Sequence, residues 1–488
     1  MRTLSCTELG FSSVDALIEG LPAHKTDLDG RFFVGVSSTG IYCRTICSAR
    51  VKNRENCTFF PTAAAAEGAG YRPCLRCRPE LAPETPVVLG ESSIAHRVAR
   101  LVKEDPSSRS FADIALELGV SERHLRRAFE DEYGVSPAAY RNSCRLLLAK
   151  SLLTDTDMPI THVAFSCGFS SVRRFNDAFL QHYRMSPTHV RKRTTVAKAE
   201  LQPIVMRLDY RPPFRYDLLL GFLSYRAVEG VELVEGDAYS RTVRTESGVG
   251  WIKVANQPEK NCLRVTISPE LFGELPTVMA KVRRLFDTDC FPLVIEEALA
   301  GFYERAPHCH LPGVRIPCCF DGFEMAVRAI LGQQVTVKAA NTMAGRVAAA
   351  FGSPVSLSAE GLTTAFPLPL AFCTPDAAEK LGMLGVVRQR SRAICSLAEA
   401  LCAGEVDLRP GADVEETAKG LLAISGIGDW TVQYMLMRAL DYSDAFPATD
   451  YGVKVTFPDM KEKALREMSL AWSPWRSYAV MSLWCAPH

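Results

Sequence analysis

Four cysteines in two close pairs constrain the fold of this chain more than any other feature. Three residues separate Cys43 from Cys47, two separate Cys74 from Cys77, and twenty-six lie between the pairs. Four thiolates satisfy the tetrahedral coordination of Zn²⁺, and each close pair can hold one side of the ion. The spacing therefore predicts one zinc ion, bound by these four cysteines in a small α+β domain at residues 1–85. The alternative is ordinary buried thiols, since free cysteine is common in protein cores.

The charged residues around the cysteines favour the metal site and indicate a polyanionic partner. Residues 31–78 carry eight Lys or Arg against two Glu, and residues 97–193 carry sixteen basic against eleven acidic side chains, although the net charge of the chain is only +1. Segregated charge of this kind is typical of nucleic-acid-binding segments. Arginines crowded around the thiols also resist burial, which disfavours a core of ordinary thiols. We expect Arg44 and Arg50 to contact DNA phosphates.

Length and cysteine content bound the architecture and the compartment. A chain of 488 residues is too long for one hydrophobic core and indicates three or four domains. Its 17 cysteines are odd in number and scattered. Because we also expect no signal peptide, they predict reduced thiols in the cytoplasm rather than disulfides. No apolar run approaches the ~18 residues that a membrane helix needs, so we expect no membrane-spanning segment.

Two similar stretches, residues 111–140 and 159–190, predict a duplicated helix-turn-helix. Each has a helix with a central Ala, a Gly in the turn, an Arg-rich helix that follows a Ser, and a closing Ser-Pro. We place both in an all-α DNA-binding domain at residues 90–193. A recognition helix presents short polar and Arg side chains to base edges in the major groove. The side chains expected to contact DNA are Arg123, Arg126, Arg127, Ser171, Arg173 and Arg174. The alternative is an Arg-rich surface that is simply solvated.

The second half of the chain divides into a mixed region and a helical region. Alternating apolar residues in GWIKVA and CLRVTIS predict strands, and DLLLGFLSYRAVEG predicts a helix beside them. We therefore expect an α+β subdomain at residues 201–305. Strand signals vanish from about residue 315, where helical patterns such as FEMAVRAILGQQ and SYAVMSLW dominate. These patterns predict an all-α domain at residues 306–488.

The segment LLAISGIGDWTVQYMLM predicts two helices joined by a tight turn at Gly426-Ile427-Gly428, with the second helix beginning near Asp429. Glycines leave the backbone N–H groups of such a turn open, so that a DNA phosphate can approach them. A lone GxG is more often a plain helix connection, and that alternative stays open here.

The first half of the chain resembles a known family. The string FVGVSSTGIYCRTICSAR … GYRPCLRCRPE resembles the metal-binding amino-terminal domain of the Ada family of DNA-methylation response proteins, and the duplicated motif resembles the AraC-type DNA-binding domain. The resemblance implies that Cys43 accepts a methyl group from a DNA methylphosphotriester while all four cysteines bind Zn²⁺. Loss of one negative charge beside DNA phosphates would then tighten DNA binding. The alternative is an inert structural zinc site.

Residues 201–488 resemble the helix-hairpin-helix glycosylases, and in particular the AlkA family of 3-methyladenine DNA glycosylases. The resemblance implies that Asp450, in FPATDYGVK, is the catalytic carboxylate. Trp430 stands where related enzymes that also cut the DNA backbone have a Lys, so a monofunctional hydrolase is implied. Trp430, Tyr434, Trp484 and Gln333 would line the pocket for an extruded alkylated purine. The alternatives are a helix N-cap for Asp450, core packing for the aromatic residues, and Asp444 as a competing acid.

Further expectations concern a second methyl-accepting cysteine, the thiol of Cys57, and the binding partners. Pro317-Cys318-Cys319-Phe320 lacks the His-Arg of the Pro-Cys-His-Arg nucleophile found in Ada proteins that repair O6-methylguanine, so we expect that activity to be absent. Cys57 is an extra thiol near the zinc set. The expected partners are damaged and promoter double-stranded DNA and, for activation, RNA polymerase; we expect a monomer without membrane contact. The competing hypothesis is a transcription regulator whose glycosylase-like region only binds.

Overall fold

The structure is a computed structural model that describes residues 2–13, 16, 26–49, 54–84, 93–106, 109–191, 201–246, 248–356 and 359–486. The chain divides into two compact units. The first comprises residues 1–212, 257–280 and 288–291, and the second comprises residues 213–256, 281–287 and 292–488. Arg50 and all of residues 194–200, between the predicted domains at 90–193 and 201–305, lie outside the described residues. In the part of the chain that is described, no helix has the length and apolar character to cross a membrane.

The first unit begins with a four-stranded sheet in the order β3-β1-β2-β4. Its strands are β1 (Phe33–Val36), β2 (Ile41–Cys43), β3 (Cys57–Phe60) and β4 (Arg72–Pro73). The helix α1 (Ala63–Gly68) lies between β3 and β4 in the sequence. Strand β1 is antiparallel to both β2 and β3, and β4 runs parallel to β2. Aromatic and aliphatic side chains cover the sheet in two buried clusters, one with Phe33, Tyr42 and Phe60 and one with Phe32 and Phe59. The predicted small α+β domain is therefore present.

Seven helices follow among the described residues of the first unit, and they contain the predicted duplication. They are α2 (Ile94–Glu104), α3 (Phe111–Glu117), α4 (Glu122–Tyr133), α5 (Pro137–Asp155), α6 (Ile160–Ser166), α7 (Val172–Tyr183) and α8 (Pro187–Val190). The turns between α3 and α4 and between α6 and α7 contain Gly119 and Gly168, whose φ angles of +67° and +79° favour glycine. Ser121, Ser136, Ser171 and Ser186 each accept a backbone hydrogen bond as the N-cap of the next helix. The apolar residues Leu125 and Phe129 on α4, and Phe175 and Phe179 on α7, are fully buried.

The first unit also contains two strands from later in the chain. Strand β5 (Ile204–Asp209) pairs antiparallel with β9 (Cys262–Ile267) over six residues. Just after β5, the buried guanidinium of Arg211 donates to the carbonyl oxygens of Asp29, Pro83 and Glu84. It also donates to those of Asp289 and Cys290. These bonds join the amino-terminal sheet domain to the segment that follows β5.

The second unit contains an antiparallel meander and most of the remaining helices. Strands β6 (Glu232–Glu235), β7 (Ala238–Thr245) and β8 (Gly248–Gln257) pair in sequence order. The helices of the second half are α9 (Tyr216–Tyr225), α10 (Leu275–Leu285), α11 (Pro292–Ala298), α12 (Ala300–Arg305), α13 (Gly322–Leu331), α14 (Val337–Phe351), α15 (Ala377–Met383), α16 (Arg388–Ala403), α17 (Val414–Ala423), α18 (Asp429–Ala439), α19 (Tyr451–Thr456), α20 (Glu462–Ser469) and α21 (Arg476–Cys485).

The expectation that residues beyond about 315 are purely helical is wrong in one detail. Strands β10 (Ser353–Pro354) and β11 (Thr364–Ala365) form a small antiparallel pair between α14 and α15. Each has two residues, which is too short to produce a visible alternation of apolar and polar side chains. Short 3₁₀ helices complete the chain at Arg54–Asn56, Pro79–Leu81, Pro258–Lys260, Pro269–Glu274, Pro307–Cys309, Pro369–Phe372 and Leu470–Trp472.

Candidate functional sites

The four predicted cysteine ligands come together at one edge of the amino-terminal sheet. Cys43 ends β2, Cys47 lies in the turn after it, and Cys74 and Cys77 follow β4. Their sulfur atoms all lie within 4.8 Å of one another. A tetrahedral site with Zn–S distances of about 2.3 Å places the sulfurs roughly 3.8 Å apart, so the group fits a single zinc ion. Cys57 lies on β3 and is not a member of the group.

The close approach of the four thiols also favours binding of a cation. Hydrogen bonds from Cys43, Cys47 and Cys77 lower the pKa of Cys74. Hydrogen bonds within the same cluster, together with burial, raise the pKa of Cys43. Four thiolates at this distance repel one another, and the protons that they share are released when a dication binds. The backbone N–H of Arg44 donates to the sulfur of Cys77 at 3.3 Å. A hydrogen bond with Cys43 and this backbone bond lower the pKa of Cys77, but hydrogen bonds with Cys47 and Cys74, together with burial, outweigh them and raise it.

The expectation that Arg44 contacts a DNA phosphate is wrong in this structure. Its side chain is only 2% exposed and pairs with the carboxylates of Asp29 and Asp209. The oxygen of Asp209 lies 2.8 Å from Nη1 of Arg44. The two carboxylates neutralise the charge of the buried guanidinium. Arg44 therefore anchors the loop after Cys43 and does not point towards solvent. The argument that arginines near the thiols resist burial therefore fails at this position.

A shared carboxylate joins the strand that carries Cys43 to the second recognition helix. The hydroxyl of Tyr42 donates to Oε1 of Glu67 at 2.8 Å. The other oxygen of this buried carboxylate lies 2.9 Å from Nε2 of His182, near the end of α7. The side chain adjacent to the expected methyl acceptor thus contacts the DNA-binding motif through one intermediate residue.

A second polar cluster links the other cysteine pair to α5, the helix between the two motifs. Arg78, directly after Cys77, has the left-handed φ of +54° and donates from both terminal nitrogens to Asp155, at 2.6 and 2.7 Å. Its Nε donates to Glu80, whose other oxygen accepts from the buried ammonium of Lys150 at 2.6 Å. Bidentate charge-assisted bonds of this kind fix geometry as well as contributing energy. Both cysteine pairs are therefore anchored to the helix-turn-helix region.

The two predicted recognition helices present their arginines to solvent. Arg123, Arg126, Arg127, Arg173 and Arg174 are all exposed. Arg126 pairs with Glu122 one turn away, and Arg173, with a side chain that is 92% exposed, has Asp177 at 3.9 Å. Ser171 serves as the N-cap of α7, where its hydroxyl accepts from the N–H of Arg174 at 3.2 Å. Capping the start of α7 is thus a structural role for Ser171 that requires no contact with DNA.

In the second unit, the predicted glycine turn joins α17 to α18. Gly426 has a φ of +95°, and Gly428 is the N-cap residue of α18. A methyl group on Gly428 would meet no atom within 4 Å, whereas one on Gly426 would lie 3.3 Å from the Cβ of Ala393. One face of the turn is therefore packed against α16, and the backbone at Gly428 is open to an approaching phosphate.

The side chain of Gln333 forms hydrogen bonds that hold this turn. It was expected on a helix, but it lies two residues beyond the end of α13. Its Nε2 donates to the carbonyl oxygen of Gly426 at 2.9 Å and to the hydroxyl of Thr431 at 3.0 Å. The side chain amide thus holds the glycine turn and the first turn of α18 together.

The carboxylate of Asp450 is held by three N–H donors. Oδ2 accepts from the indole of Trp430 at 2.8 Å, and Oδ1 accepts from the indole of Trp484 at 2.9 Å and from the backbone N–H of Gly452 at 2.9 Å. The side chain is also the N-cap of α19, as the alternative interpretation expected. The residue is 7% exposed, and no Lys or Arg among the described residues forms an ion pair with it. A carboxylate fixed in orientation without a cationic partner keeps its charge available for another group.

Aromatic rings surround this carboxylate. Trp430 and Tyr434 stack with centroids 5.3 Å apart, and Tyr434 lies 5.8 Å from Trp484. Phe222, which was not predicted from the sequence, stacks on Trp484 with ring centroids 6.2 Å apart. The predicted pocket aromatics are therefore brought together, with one ring added from α9. Stacked aromatic faces of this kind are suited to an electron-poor base.

Three arginines whose charges act on Tyr434 are a further feature that was not predicted from the sequence. The hydroxyl of Tyr434 accepts from Nη1 of Arg438 at 2.8 Å. Burial raises the pKa of Tyr434, but the charges of Arg438, Arg226 and Arg328 outweigh burial and leave the pKa below its ordinary value. Arg438 follows Tyr434 by four residues on α18, and that spacing is the signal that could have revealed it.

Asp444, the competing acid, has a structural role. Its carboxylate accepts from Nε and Nη2 of Arg476 at 2.8 and 2.7 Å, and from the hydroxyl of Ser473 at 2.9 Å. The side chain is thus engaged in a bidentate ion pair between the loop before α19 and the start of α21. Arg476 therefore compensates the charge of Asp444, whereas the hydrogen bonds to Asp450 in the described part of the chain come from uncharged N–H groups.

Comparisons with known proteins identify the class to which this fold and these sites correspond. Four family models match: metal binding domain of Ada at residues 18–80, helix-turn-helix domain at 94–193, AlkA N-terminal domain at 205–321, and HhH-GPD superfamily base excision DNA repair protein at 327–461. The chain is thus a fusion of an Ada-type metal-binding domain and a helix-turn-helix domain with an AlkA-type glycosylase fold. The predicted multidomain fold class and both resemblances are confirmed.

Individual relatives agree with this class. The chain is 38% identical over 467 residues to a probable bifunctional transcriptional activator/DNA repair enzyme AlkA of Mycobacterium tuberculosis, covering 93% of each chain. It is 34% identical over 277 residues to DNA-3-methyladenine glycosylase 2 of Escherichia coli, covering 57% of this chain and 95% of that one. The solved 3-methyladenine DNA-glycosylase from Archaeoglobus fulgidus has the same fold, with a TM-score of 0.50 at 20% identity over 57% of this chain and 96% of that one. This chain belongs to the AlkA family of bifunctional transcriptional activator/DNA repair proteins.

Proposed function

We propose that the chain repairs and reports DNA alkylation, and that its second unit is a monofunctional glycosylase for alkylated purines of the 3-methyladenine type. The observation that carries the proposal is the carboxylate of Asp450, held by two indole N–H groups and free of any ion pair among the described residues. The similarity to DNA-3-methyladenine glycosylase 2 supports the choice of substrate.

The mechanism that we infer rests on charge. Breaking an N-glycosidic bond builds positive charge on the deoxyribose, and a fixed carboxylate stabilises that charge and orients the attacking water. An alkylated purine is cationic and leaves readily, so the pocket binds it by stacking against Tyr434 and Trp484 and needs no general acid. With Trp430 in place of a Lys, no amine is present there to form a Schiff base, and the DNA backbone stays uncut.

The amino-terminal domain is proposed to act once, as a methyl acceptor. Cys43 would be the attacking thiolate: a bond forms between its sulfur and the methyl carbon, the bond from that carbon to the phosphotriester oxygen breaks, and a phosphodiester anion leaves. Zn²⁺, when bound by Cys43, Cys47, Cys74 and Cys77, would keep these sulfurs deprotonated yet nucleophilic. One negative charge is lost from the site, which weakens repulsion of DNA and tightens binding.

The remaining assignments complete the proposal. We place the domain boundaries at residues 1–85, 90–193, 201–305 and 306–488. The exposed arginines of α4 and α7 would bind promoter DNA, and the turn at Gly426 and Gly428 would bind damaged DNA. RNA polymerase is the expected partner for activation, and a monomer in the reducing cytoplasm is the expected state.

Base release decides the enzymatic proposal. Purified zinc-loaded protein incubated with methylated DNA should release 3-methyladenine, and Asp450→Asn should not. Asp376→Asn, which changes an exposed acid paired with Lys380, is the matched control and should release base at the wild-type rate. Equal release by the wild type and by Asp450→Asn would refute the role of Asp450. Binding of alkylated DNA without any release would favour a regulator with a non-catalytic second unit.

Methyl transfer is tested separately. After exposure to DNA that contains methylphosphotriesters, peptide mass spectrometry should find one added methyl group, on Cys43. Cys43→Ser should acquire none, while Cys57→Ser should be methylated normally, because Cys57 lies outside the metal-binding group. A methyl group on a different thiol, or none on the wild type, would refute the acceptor role.

A further inference from the structure

A pair of cysteines in the second unit has no part in the zinc group or the aromatic pocket. The sulfur atoms of Cys373 and Cys402 lie 3.8 Å apart. Cys402 is exposed and lies one residue before the end of α16, while Cys373 is partly buried. A disulfide requires a sulfur–sulfur distance of about 2.05 Å, so the two sulfurs need to approach by less than 2 Å.

The two cysteines lie on supports of different rigidity. Cys373 ends the 3₁₀ helix Pro369–Phe372, and the preceding Phe372 is fully buried against Phe323 and Phe351. Cys402 lies in the last turn of α16, just before Gly404, which ends the helix in the left-handed conformation. One thiol is therefore on a fixed support and the other is on a helix terminus, where small movements have low cost.

We propose that Cys373 and Cys402 form a reversible thiol–disulfide site, in which Cys402 reacts first and Cys373 resolves the intermediate. The co-reactant is a low-molecular-weight disulfide. The thiolate of Cys402 attacks one of its sulfurs, forms a mixed disulfide and expels one small thiolate. The sulfur of Cys373 then attacks the sulfur of Cys402, forms the protein disulfide and expels the second small thiol. Two protein thiols are oxidised by two electrons, and the small disulfide is reduced to two thiols.

The order of the two steps follows from exposure. Cys402 is the more exposed of the two thiols, so a small disulfide has better access to it. Burial and the neighbouring Cys402 raise the pKa of Cys373 to about 11, so Cys373 is the poorer initial nucleophile. Once Cys402 carries the mixed disulfide, proximity favours attack by Cys373 over attack by any thiol in solution.

The site is separate from the proposed catalytic machinery. The opposite end of α16 supports the glycine turn, where Arg390 donates to the carbonyl oxygens of Leu331 and Gln333. Cys402 follows Gln389 by thirteen positions on α16, which correspond to about 20 Å of helix. Closing the disulfide therefore joins the carboxyl end of α16 to the 3₁₀ helix Pro369–Phe372 and leaves the glycine turn in place. The exposed thiol is thereby protected from irreversible oxidation and alkylation.

The test uses the full-length zinc-loaded chain and glutathione disulfide as the probe. After incubation, free thiols are blocked with iodoacetamide and peptides are mapped by mass spectrometry. We expect a peptide pair joined by Cys373 and Cys402, with the loss of two hydrogen atoms, that disappears after reduction. Cys395 lies two turns before Cys402 on α16 and provides the matched control, since Cys395→Ser should retain the cross-link.

Two variants make the order of steps testable. Cys373→Ser should trap glutathione on Cys402, and Cys402→Ser should show neither cross-link nor glutathione on Cys373. Retention of glutathione on Cys402 in the wild type without a cross-link would overturn the proposal, and so would a cross-link from Cys402 to Cys395. Because base release is measured independently of this mapping, failure of the disulfide leaves the glycosylase assignment untouched.

Discussion

The indole N–H of Trp430 donates a hydrogen bond to Oδ2 of Asp450 at 2.8 Å. The resemblance to helix-hairpin-helix enzymes puts a Lys at position 430 in those that cut the DNA backbone. Here the same position supplies a neutral donor that orients the carboxylate and leaves its charge uncompensated. Trp484 does the same for the other oxygen. The two tryptophans therefore fix the orientation of both carboxylate oxygens of Asp450.

Removing either indole donor should slow base release while leaving the fold intact. Trp430→Phe and Trp484→Phe retain a ring for stacking but lose the N–H that orients Asp450. A hydrogen bond to a charged group contributes about 1.5–3 kcal/mol, so we expect at least a roughly tenfold slower single-turnover release of 3-methyladenine for each variant. Trp251→Phe, which removes an indole from β8, is the control and should behave as wild type. Unchanged rates in both pocket variants would contradict the orienting role.

The two glycines of the turn should respond differently to the same substitution. Gly426→Ala places a methyl group at a φ of +95° and 3.3 Å from Ala393, so we expect it to lower the free energy of unfolding by about 1–2 kcal/mol. Gly428→Ala meets open space and should leave stability unchanged. It should nevertheless weaken binding to damaged DNA, because the methyl group stands where a phosphate would approach. Urea unfolding and a DNA-binding titration of both variants separate the two effects.

The stability of the second unit should depend on pH through Asp287. Burial raises the pKa of this carboxyl to about 7, with Asp441 adding to burial and Arg315 opposing it. In the unfolded chain the pKa of an Asp carboxyl is about 3.9. Between about pH 4 and pH 7, therefore, Asp287 holds a proton in the folded state but not in the unfolded state. The contribution of Asp287 to stability is therefore full below about pH 4 and is lost as the pH rises to 7.

Asp287→Asn is the test of this pH dependence. Asn tolerates the φ of +45° at this position, and it has no charge to lose. Relative to the variant, the wild type should become less stable between pH 4 and pH 8 by up to about 4 kcal/mol, as measured by urea unfolding at several pH values. Parallel stability curves for the two proteins would show that the proton is not held in the folded state.

Arg44 should contribute to folding and not to DNA affinity. Arg44→Met leaves Asp29 and Asp209 without their buried guanidinium, and we expect the free energy of unfolding of the first unit to fall by about 3 kcal/mol or more. Arg173→Ala removes an exposed side chain and should leave stability unchanged. It should instead weaken operator binding and reduce the slope of affinity against salt concentration by about 1. A normal melting temperature for Arg44→Met would contradict the buried ion pair.

Local patterns in the sequence were sufficient for the features that depend on nearby residues. The cysteine spacing predicted the group that the structure brings together, and the Ser residues before the Arg-rich helices predicted their N-caps. The glycine turn was predicted for the same reason, since a positive φ at Gly426 is a local requirement. Asp450 was identified by family resemblance, and its indole partners at Trp430 and Trp484 stayed outside what spacing alone could predict.

Features that depend on distant residues were missed. Arg44 was expected at the surface because its neighbours in sequence are basic, but its partner Asp209 is 165 residues away. The stacking of Phe222 on Trp484 likewise joins α9 to α21. Gln333 was expected on a helix because it falls within the helical pattern FEMAVRAILGQQ, whereas α13 ends two residues earlier and Gln333 holds the glycine turn. Burial of charge in particular is set by tertiary packing, which composition does not reveal.

The bonds of Arg211 have a practical consequence for anyone who wishes to express the repair enzyme alone. A recombinant fragment that starts near residue 201 would separate this guanidinium from the carbonyl oxygens of Asp29, Pro83 and Glu84. It would also separate Asp209 from Arg44. At the cut end, Arg207 would still pair with Asp209, and the carbonyl oxygens of Asp289 and Cys290 would still accept from Arg211, but the other partners of both charges would be lost. A strand end with incompletely compensated charge is a poor starting point for crystallisation. Redesigning both positions as neutral residues, or keeping the amino-terminal domain, is the sounder engineering choice.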